Sequence, residues 1–329
     1  MKKRNFFGSD DIFLVAEIGN NHEGSFKNAI KLIDKAAEAK VDAVKFQTYK
    51  TDFFFSNDVS EDRKSQLKFF ELNYKDFARI ANYAKKKGLI FFSTPLDLES
   101  ANFLNKLQPL FKIASSDNNF MQLIDKTISF QKPLIISTGI INYKEINKLY
   151  NYIISKKFSS KLAFLHCVSA YPTEMTDLNL GSIQFLQSKF KDCFVGYSDH
   201  SIGIDACVYA SLLGAKIIEK HFTLDHKFSK FKDHALSANP QELKEMVKKI
   251  RNVKKIIGFS SKKIGKQEKK NVVTMRRSMS FNRDLDKGHQ IKQEDIIMCR
   301  PGTGHNYTKI KKFLKKKLKY AVKKGDLLK

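Results

Sequence analysis

The sequence predicts an α/β fold: a barrel of parallel strands wrapped by helices, followed by a small second module. Three observations carry this. The 329 residues exceed the roughly 250 that an α/β barrel needs by enough for one appendix. Short β-branched or aromatic runs alternate with amphipathic, helix-length segments through the first 258 residues. Beyond that point the rhythm stops, and short segments with turn signals take over. Hydrophobic residues make up 42% and Phe alone contributes 28, ample for a core, which excludes disorder as the main state.

Taken in order, strand-length runs are expected at 12–16, 43–46, 89–92, 111–114, 134–136, 162–165, 194–195 and 217–218. Helical spacing of three and four marks the segments between them. Ala29, Ile30, Leu32, Ile33, Ala36 and Ala37 form one such face, and Phe77, Ile80, Ala81 and Ala84 another. With the closing segment 241–257, eight strands alternate with eight helices. Parallel strands in that number bury both faces by closing on themselves, so residues 1–258 are expected to form a (β/α)8 TIM barrel. The polar run 259–275 reads as a linker. Residues 276–329 read as a compact module, with turns at Asp286-Lys287-Gly288 and Pro301-Gly302-Thr303-Gly304 and a lysine cluster from Lys311 to Lys319.

Composition excludes several classes. Met1-Lys2-Lys3-Arg4 resembles the start of a signal peptide, but Ser9-Asp10-Asp11 interrupt any apolar stretch behind it. The longest uncharged apolar stretch, 206–215, is about half the ~20 residues of a spanning helix, so a soluble protein is expected. Cys167, Cys193, Cys207 and Cys299 show no paired spacing. That argues against a disulfide framework or zinc knuckle and for a reducing, cytoplasmic setting. The chain carries 60 basic and 34 acidic residues, a net +26, and from residue 260 onward 21 basic face 6 acidic. Such a module invites a nucleic-acid reading. Its lysines are scattered, however, without the interleaved aromatics of a stacking platform, so nucleic acid is not the expected partner. Anionic small molecules are.

In a barrel of this kind, residues at the carboxyl ends of the strands face the active site. Glu17 ends the first strand, Lys45 and Gln47 the second, Ser93 and Thr94 the third, and Lys112 the fourth, with Ser115 and Asp117 behind it. Ser137 and Thr138 follow, then His166 with Ser169 and Tyr171, then Tyr197, Ser198, Asp199 and His200, and last Glu219, Lys220 and His221. Helix capping accounts for Ser or Asp at such places, but not for Lys, His or Gln. Lys45 and Gln47 are two apart and point inward together, and a buried lysine calls for an anion. With Lys112, Thr94, Ser115, Ser137 and Ser198 they outline a pocket for a phosphorylated carboxylate. A lone histidine is usually structural, but His200 and His221 close neighbouring strands and could share a divalent metal.

The run Ala16-Glu17-Ile18-Gly19-Asn20-Asn21-His22-Glu23-Gly24 resembles the opening motif of the sialic acid synthase family, enzymes that condense phosphoenolpyruvate with an N-acylated hexosamine. Further family-like motifs follow in order: VKFQT, STP, FKIASSD, STG, LHCVSAYP, GYSDHSIGIDA and EKHFT. Asp284-Leu285-Asp286-Lys287-Gly288 and Arg300-Pro301-Gly302-Thr303-Gly304 resemble the family's antifreeze-like (SAF) domain, so the similarity spans about residues 11–328.

The resemblance implies that Lys45, Thr94, Lys112, Ser115, Ser137 and Ser198 hold phosphoenolpyruvate. It implies that His200 and His221 bind a divalent ion, manganese first, with magnesium or cobalt as alternatives. Gln47, Tyr171, Asp117 and Asp233 would face the sugar, and Asp117 joins Glu17, His200 and His221 in the implied catalytic set. Arg300 would reach into the partner subunit's barrel and bind the sugar's acyl group, which implies a domain-swapped homodimer. Three departures bear on the sugar: Ser169 stands where bacterial neuraminate synthases usually carry Asn, Asp117 stands for Glu, and Ser229-Lys230-Phe231-Lys232-Asp233 replaces a PGPD run. N-acetylmannosamine and 2,4-diacetamido-2,4,6-trideoxymannose both remain open, while the motifs speak less for a pseudaminic acid synthase. Two alternatives stand beside this reading: a phosphoenolpyruvate-dependent 3-deoxy-sugar-acid synthase, and a noncatalytic basic binding protein on a barrel scaffold.

Overall fold

The computed structural model describes residues 11–56, 58–158, 160–258 and 261–328. The basic start Met1 to Arg4, Ser9 and Asp10, and the first two residues of the expected linker lie outside the described residues. The chain divides into two compact units, 1–258 and 259–329.

In the first unit eight strands appear in sequence order: β1 (Phe13–Gly19), β2 (Ala43–Thr48), β3 (Ile90–Pro95), β4 (Phe111–Ile113), β5 (Leu134–Ser137), β6 (Leu162–Cys167), β7 (Phe194–Asp199) and β8 (Ile217–His221). Helices α1 (Phe26–Ala39), α2 (Thr51–Phe54), α3 (Glu61–Phe70), α4 (Tyr74–Lys86), α5 (Leu98–Asn105), α6 (Met121–Ser129), α7 (Tyr143–Ser155), α8 (Gly181–Lys189), α9 (Asp205–Leu212), α10 (Asp233–Leu236) and α11 (Pro240–Ile257) connect and close them. The strands form one sheet in the order β3-β2-β1-β8-β7-β6-β5-β4, and every paired neighbour is parallel. This is the expected barrel. The four-residue α2 and α10 and the ten-residue α3 are additions at strand-to-helix connections that periodicity did not mark.

Period-two alternation sorts each strand into two layers. Phe13, Val15, Ala43, Phe92, Leu110, Ile135, Ala163, Leu165 and Ile217 meet inside the barrel as one apolar cluster. Leu14, Ala16, Val44, Phe46, Phe91, Phe111, Ile136, Phe164, Val195 and Ile218 face outward into a larger core. The buried faces of α1 (Ala29, Leu32, Ile33, Ala36) and α4 (Phe77, Ile80, Ala81, Ala84) belong to that core. The inner layer is tight at Gly196, where a Cβ would lie 2.5 Å from the Ile217 carbonyl oxygen and 2.6 Å from Leu165 Cδ2.

Most of the observed strands run farther toward their carboxyl ends than the hydrophobic pattern indicates. β7 continues to Asp199 and β8 to His221, where apolar runs end at 195 and 218. The reason is physical: the polar residues at these ends stay in the parallel ladder, so the pattern loses its apolar signal while the backbone remains a strand.

One seam of the barrel is closed by a side chain. β3 and β4 share no ladder, and the Gln108 amide takes a strand's place. Its Oε1 accepts from the Ser93 N–H at 2.7 Å and its Nε2 donates to the Ser93 carbonyl at 3.1 Å, with the side chain buried.

In the second unit, much of the expected linker is helical: α12 covers Lys266–Met275. Its lysines and the absence of buried residues left no apolar stripe to read. β9 (Ser278–Phe281) pairs antiparallel with β10 (Ile296–Cys299). Met279, Phe281, Leu285, Ile291, Ile310, Val322 and Leu328 form the unit's own small core. Asp295, fully buried, accepts from Arg283 Nε at 3.0 Å and the Lys292 N–H at 2.8 Å and meets His289 Nε2 at 2.8 Å. Burial opposes its ionisation, yet these donors hold the carboxyl down at about 2. Among the described residues no helix is long and apolar enough to cross a membrane.

Replacing Gln108 with Leu keeps the volume but strands both polar groups of Ser93, a loss of roughly 1–3 kcal/mol. Urea unfolding should show that drop, and an unchanged midpoint would mean the β3 edge needs no surrogate partner.

Candidate active site

The barrel mouth follows from counting by twos. Val15 leads to Glu17, Ala43 to Lys45 and Gln47, Phe92 to Thr94, Leu110 to Lys112, Ile135 to Ser137, Leu165 to Cys167, and Ile217 to Glu219 and His221. Each starting residue lies in the inner apolar layer, so each polar successor continues the same inward face. Gly196 leads in the same way to Ser198 and His200.

Two lysines and two glutamates meet directly above that layer. Lys45 Nζ lies 3.0 Å from Glu17 Oε2 and 3.5 Å from Glu219 Oε1. Lys112 Nζ lies 3.5 Å from the same Glu219 oxygen. Ser198 donates to that oxygen at 2.9 Å, and Lys45 donates to Thr94 at 3.2 Å. All four charged side chains are buried.

The two carboxyls move in opposite directions. Burial raises Glu17 to about 7; Lys45 opposes this, and the Glu219 charge adds to it. Burial pushes Glu219 up as well, but Lys112, Lys45 and the Ser198 hydroxyl outweigh it and hold the group at about 2. Glu219 sits between two ammonium groups and Glu17 beside one, which decides the order. Burial lowers Lys112, whereas its two carboxylate neighbours raise Lys45 against burial. Near neutrality Glu17 therefore exchanges a proton while Glu219 stays ionised. With Glu17 protonated, one positive charge is left over for an incoming anion.

His200 and His221 stand beside this quartet, with ring centroids 5.3 Å apart. Nδ1 of His200 lies 2.7 Å from the Val168 carbonyl, so that nitrogen carries a proton; burial lowers the ring's pKa, but Cys167 and this carbonyl outweigh it and raise it. His221 Nδ1 is buried with no hydrogen-bond partner. Burial, then the charge of His200, pushes the His221 ring well below its ordinary pKa and keeps it neutral. A fixed ring and an orphaned neutral ring suit two ligands of a divalent ion. Among the described residues no group of three or more His, Cys, Asp or Glu forms a fuller cage, so the remaining donors would have to come from substrate or water.

The other expected residues fall into three groups. Ser137 Oγ and Ser169 Oγ are buried without partners. Ser115 Oγ accepts from the Gly139 N–H at 3.1 Å, and a Cβ at Gly139 would collide with both the Ser115 and Ser169 hydroxyls. On the rim, Tyr171 lies over His200 with ring centroids 4.2 Å apart. Gln47 accepts from Asn20 at 3.0 Å. Burial raises the carboxyls of both Asp117 and Asp233; Ser116 and then Lys112 oppose the first, and Lys232 and then His200 the second. Arg300 belongs to the C-terminal unit, where it is exposed and its Nε donates to the Met275 carbonyl at 3.0 Å.

Comparisons with known proteins identify the family of the barrel. The model of a family described as the NeuB family matches residues 32–262. An N,N'-diacetyllegionaminic acid synthase from Campylobacter jejuni is 35% identical, over 96% of this chain and 98% of its own. A pseudaminic acid synthase from the same species is 36% identical, over 100% and 98%. The crystal structure of an N-acetylneuraminic acid synthetase from Leptospira borgpetersenii in complex with citrate superposes with a TM-score of 0.75 at 34% identity, over 80% of this chain and 90% of that one. The chain belongs to the NeuB family.

In this NeuB-family barrel two inward groups had no assigned role in the sequence reading. Glu219 stood out only as a neighbour of the histidines, although its two-residue step to His221 already placed both on one face. Cys167 was read only for disulfides, yet its Sγ lies 3.7 Å from His200 Nδ1 and 3.6 Å from Ser115 Oγ. His166, expected at the mouth, instead faces outward and meets the Leu178 carbonyl at 2.7 Å. Tyr197, Asp199 and Lys220 face outward for the same reason of parity.

The split between the two carboxyls is measurable. With ¹³C-labelled glutamate, one buried carboxyl signal should titrate near pH 7 and vanish in Glu17→Gln, while the Glu219 signal stays ionised down to about pH 2. Two ordinary midpoints near 4.3 would contradict the description.

Proposed function

We propose that this NeuB-family protein is a nonulosonic acid synthase that condenses phosphoenolpyruvate with an N-acylated hexosamine and water and releases phosphate. The observation that carries the reading is the buried lysine pair, Lys45 and Lys112, set among hydroxyls at the mouth of a NeuB-family barrel. A trianion suits two ammonium groups and the unpaired hydroxyls of Ser137 and Ser169 better than a neutral ligand does. Thr94, Ser115 and Ser198 complete the phosphoenolpyruvate set, and Gln47, Tyr171, Asp117 and Asp233 the sugar side. The likeness to the legionaminic acid synthase extends through the C-terminal unit, which favours this reading over the 3-deoxy-sugar-acid alternative. The four free cysteines suit a cytoplasmic setting.

In the reaction, C3 of phosphoenolpyruvate attacks the aldehyde carbon of the open-chain sugar and forms the new C–C bond. Water adds at C2, where positive charge develops, and the tetrahedral adduct expels phosphate by C–O cleavage. Lys45 and Lys112 hold the anion before the reaction and stabilise the charge on the departing phosphate. Glu17, raised to about 7, is the group able to carry a proton at the reacting centre at neutral pH. When bound at His200 and His221, a divalent ion (manganese first, magnesium or cobalt as alternatives) supplies Lewis acidity for the aldehyde oxygen.

The sugar is N-acetylmannosamine or 2,4-diacetamido-2,4,6-trideoxymannose. The legionaminic and pseudaminic acid synthases stand at 35% and 36% identity, so overall likeness does not separate the branches, and the choice rests on the rim residues.

Phosphoenolpyruvate labelled with ¹⁸O at its bridging oxygen tests the chemistry. Incubation with a panel of N-acylated hexosamines and manganese should give one nonulosonic acid by mass spectrometry, with the label in the released phosphate. Label kept in the sugar acid would mean P–O cleavage, and no product from any hexosamine would sink the assignment. Lys45→Ala and Lys112→Ala should raise the phosphoenolpyruvate KM by the equivalent of ~2–5 kcal/mol and change the sugar KM less.

The protein acts, on this reading, as a domain-swapped homodimer in which Arg300 of one subunit holds the sugar's acyl group in the other's barrel. The planar guanidinium fork suits a fixed carbonyl oxygen. Mixing Arg300→Ala with His221→Ala subunits should restore part of the activity once mixed dimers form, because one site then joins an intact barrel to an intact arginine. No recovery in verified mixed dimers would reject the swap.

A further inference from the structure

On the outward side of β7 and β8, behind the site, lies an ion pair that the proposed reaction does not use. Lys220 Nζ is 2.7 Å from Asp199 Oδ2, and both side chains are 0% exposed. Lys220 also donates to the Ser201 carbonyl at 2.5 Å. Asp199 Oδ1 accepts from Tyr197 OH at 2.8 Å, the Ser201 N–H at 3.0 Å and the Ser201 hydroxyl at 2.8 Å.

The sequence position of this node is what gives it meaning. Asp199 lies between Ser198 and His200, and Lys220 between Glu219 and His221. The β7–β8 ladder pairs Ser198 with Glu219 and Asp199 with Lys220, its last two steps toward the carboxyl ends. The node therefore grips the residue on each side of His200 and the residue between Glu219 and His221. By strand alternation, locking Asp199 and Lys220 outward turns their neighbours inward.

Stability alone does not call for it. A buried ion pair is typically no better than well-packed apolar residues of the same size, and Val195, two alternation steps before Asp199, and Ile218, one step before Lys220, fill the same layer with no charge. We propose that the Asp199–Lys220 pair is a positioning device that fixes the mutual placement of His200 and His221 as the two ligands of a divalent ion. This rests on the reading of those histidines as ligands.

Manganese binding tests it without turnover, by electron paramagnetic resonance titration of the full-length protein. The double variant Asp199→Asn/Lys220→Met removes both charges at nearly constant volume, and the Asn oxygen can still accept from Tyr197 and Ser201. Lys220→Gln is a second variant, uncharged but able to donate to Asp199 and Ser201. We expect the double variant to keep native circular dichroism and bind manganese roughly 10–100-fold more weakly, the usual scale for groups that orient ligands. Leu134→Ala, an outward-facing cavity variant on β5 that controls for thermal destabilisation, should bind manganese as the parent does. Parent-like affinity in a folded double variant overturns the proposal and leaves the histidine reading intact. A parent protein that binds no manganese, or a His221→Ala variant that binds it normally, overturns both. If neither ion-pair variant folds, the pair serves the fold and not the ion site, and the proposal fails.

Discussion

Four buried charges at the barrel mouth govern the rest of the site. Lys45, Lys112, Glu17 and Glu219 are each removed from water, and solvation lost on that scale is only partly returned by pairing. A fold selected for stability alone would fill the space with the aliphatic residues found one layer below. On the proposed function, the quartet supplies a field already in place before an anion arrives, with no reorganisation left to perform when charge moves. Because Glu219 lies between both lysines and Glu17 beside one, the same arrangement also makes the carboxyls unequal. One stays a permanent counter-ion and the other becomes a proton carrier near neutrality.

The barrel itself was legible because its two layers depend on a short-range rule, alternation along each strand, and on helices whose stripes carry that rule outward. The mouth was legible as a list of strand ends, but not as a set of directions. His166 and Cys167 are adjacent, and chemical habit favours the histidine, yet parity from Leu165 puts the cysteine inside. Lys45 and Lys220 are both strand lysines, one facing the barrel mouth and one facing the helices. Counting back to the inner apolar residues separates them, so the signal existed in the sequence. It became usable only once the inner layer was known, since an apolar run buried on both faces conceals which alternate set points inward.

Other features lay beyond local pattern. Nothing about Gln108 announces that its amide will close the β3 edge, because the need arises at Ser93, fifteen residues away, where no ladder to β4 forms. The helix Lys266–Met275 carries no buried residue and so lacked the stripe by which helices are read. Nothing in the lysine-rich tail sets Asp295 apart, yet it is the buried hub that Arg283, His289 and a backbone N–H share. In each case no local apolar pattern marks the feature, and composition says nothing about it.

The two halves of the site also differ in what carries them. The groups proposed for phosphoenolpyruvate lie on or directly after the strands, where ladder hydrogen bonds fix each backbone position. Those proposed for the sugar include Tyr171 and Asp233, on the connection that follows β6 and at the start of the four-residue α10. Rigid strands suit a reactant common to a family, and connections tolerate the changes that tune a variable one. Nearly equal identity to a legionaminic and a pseudaminic acid synthase is then the expected result, because whole-chain identity is dominated by strands and helices. A few rim side chains weigh almost nothing in that figure, and on this division of labour they are the ones that choose the sugar.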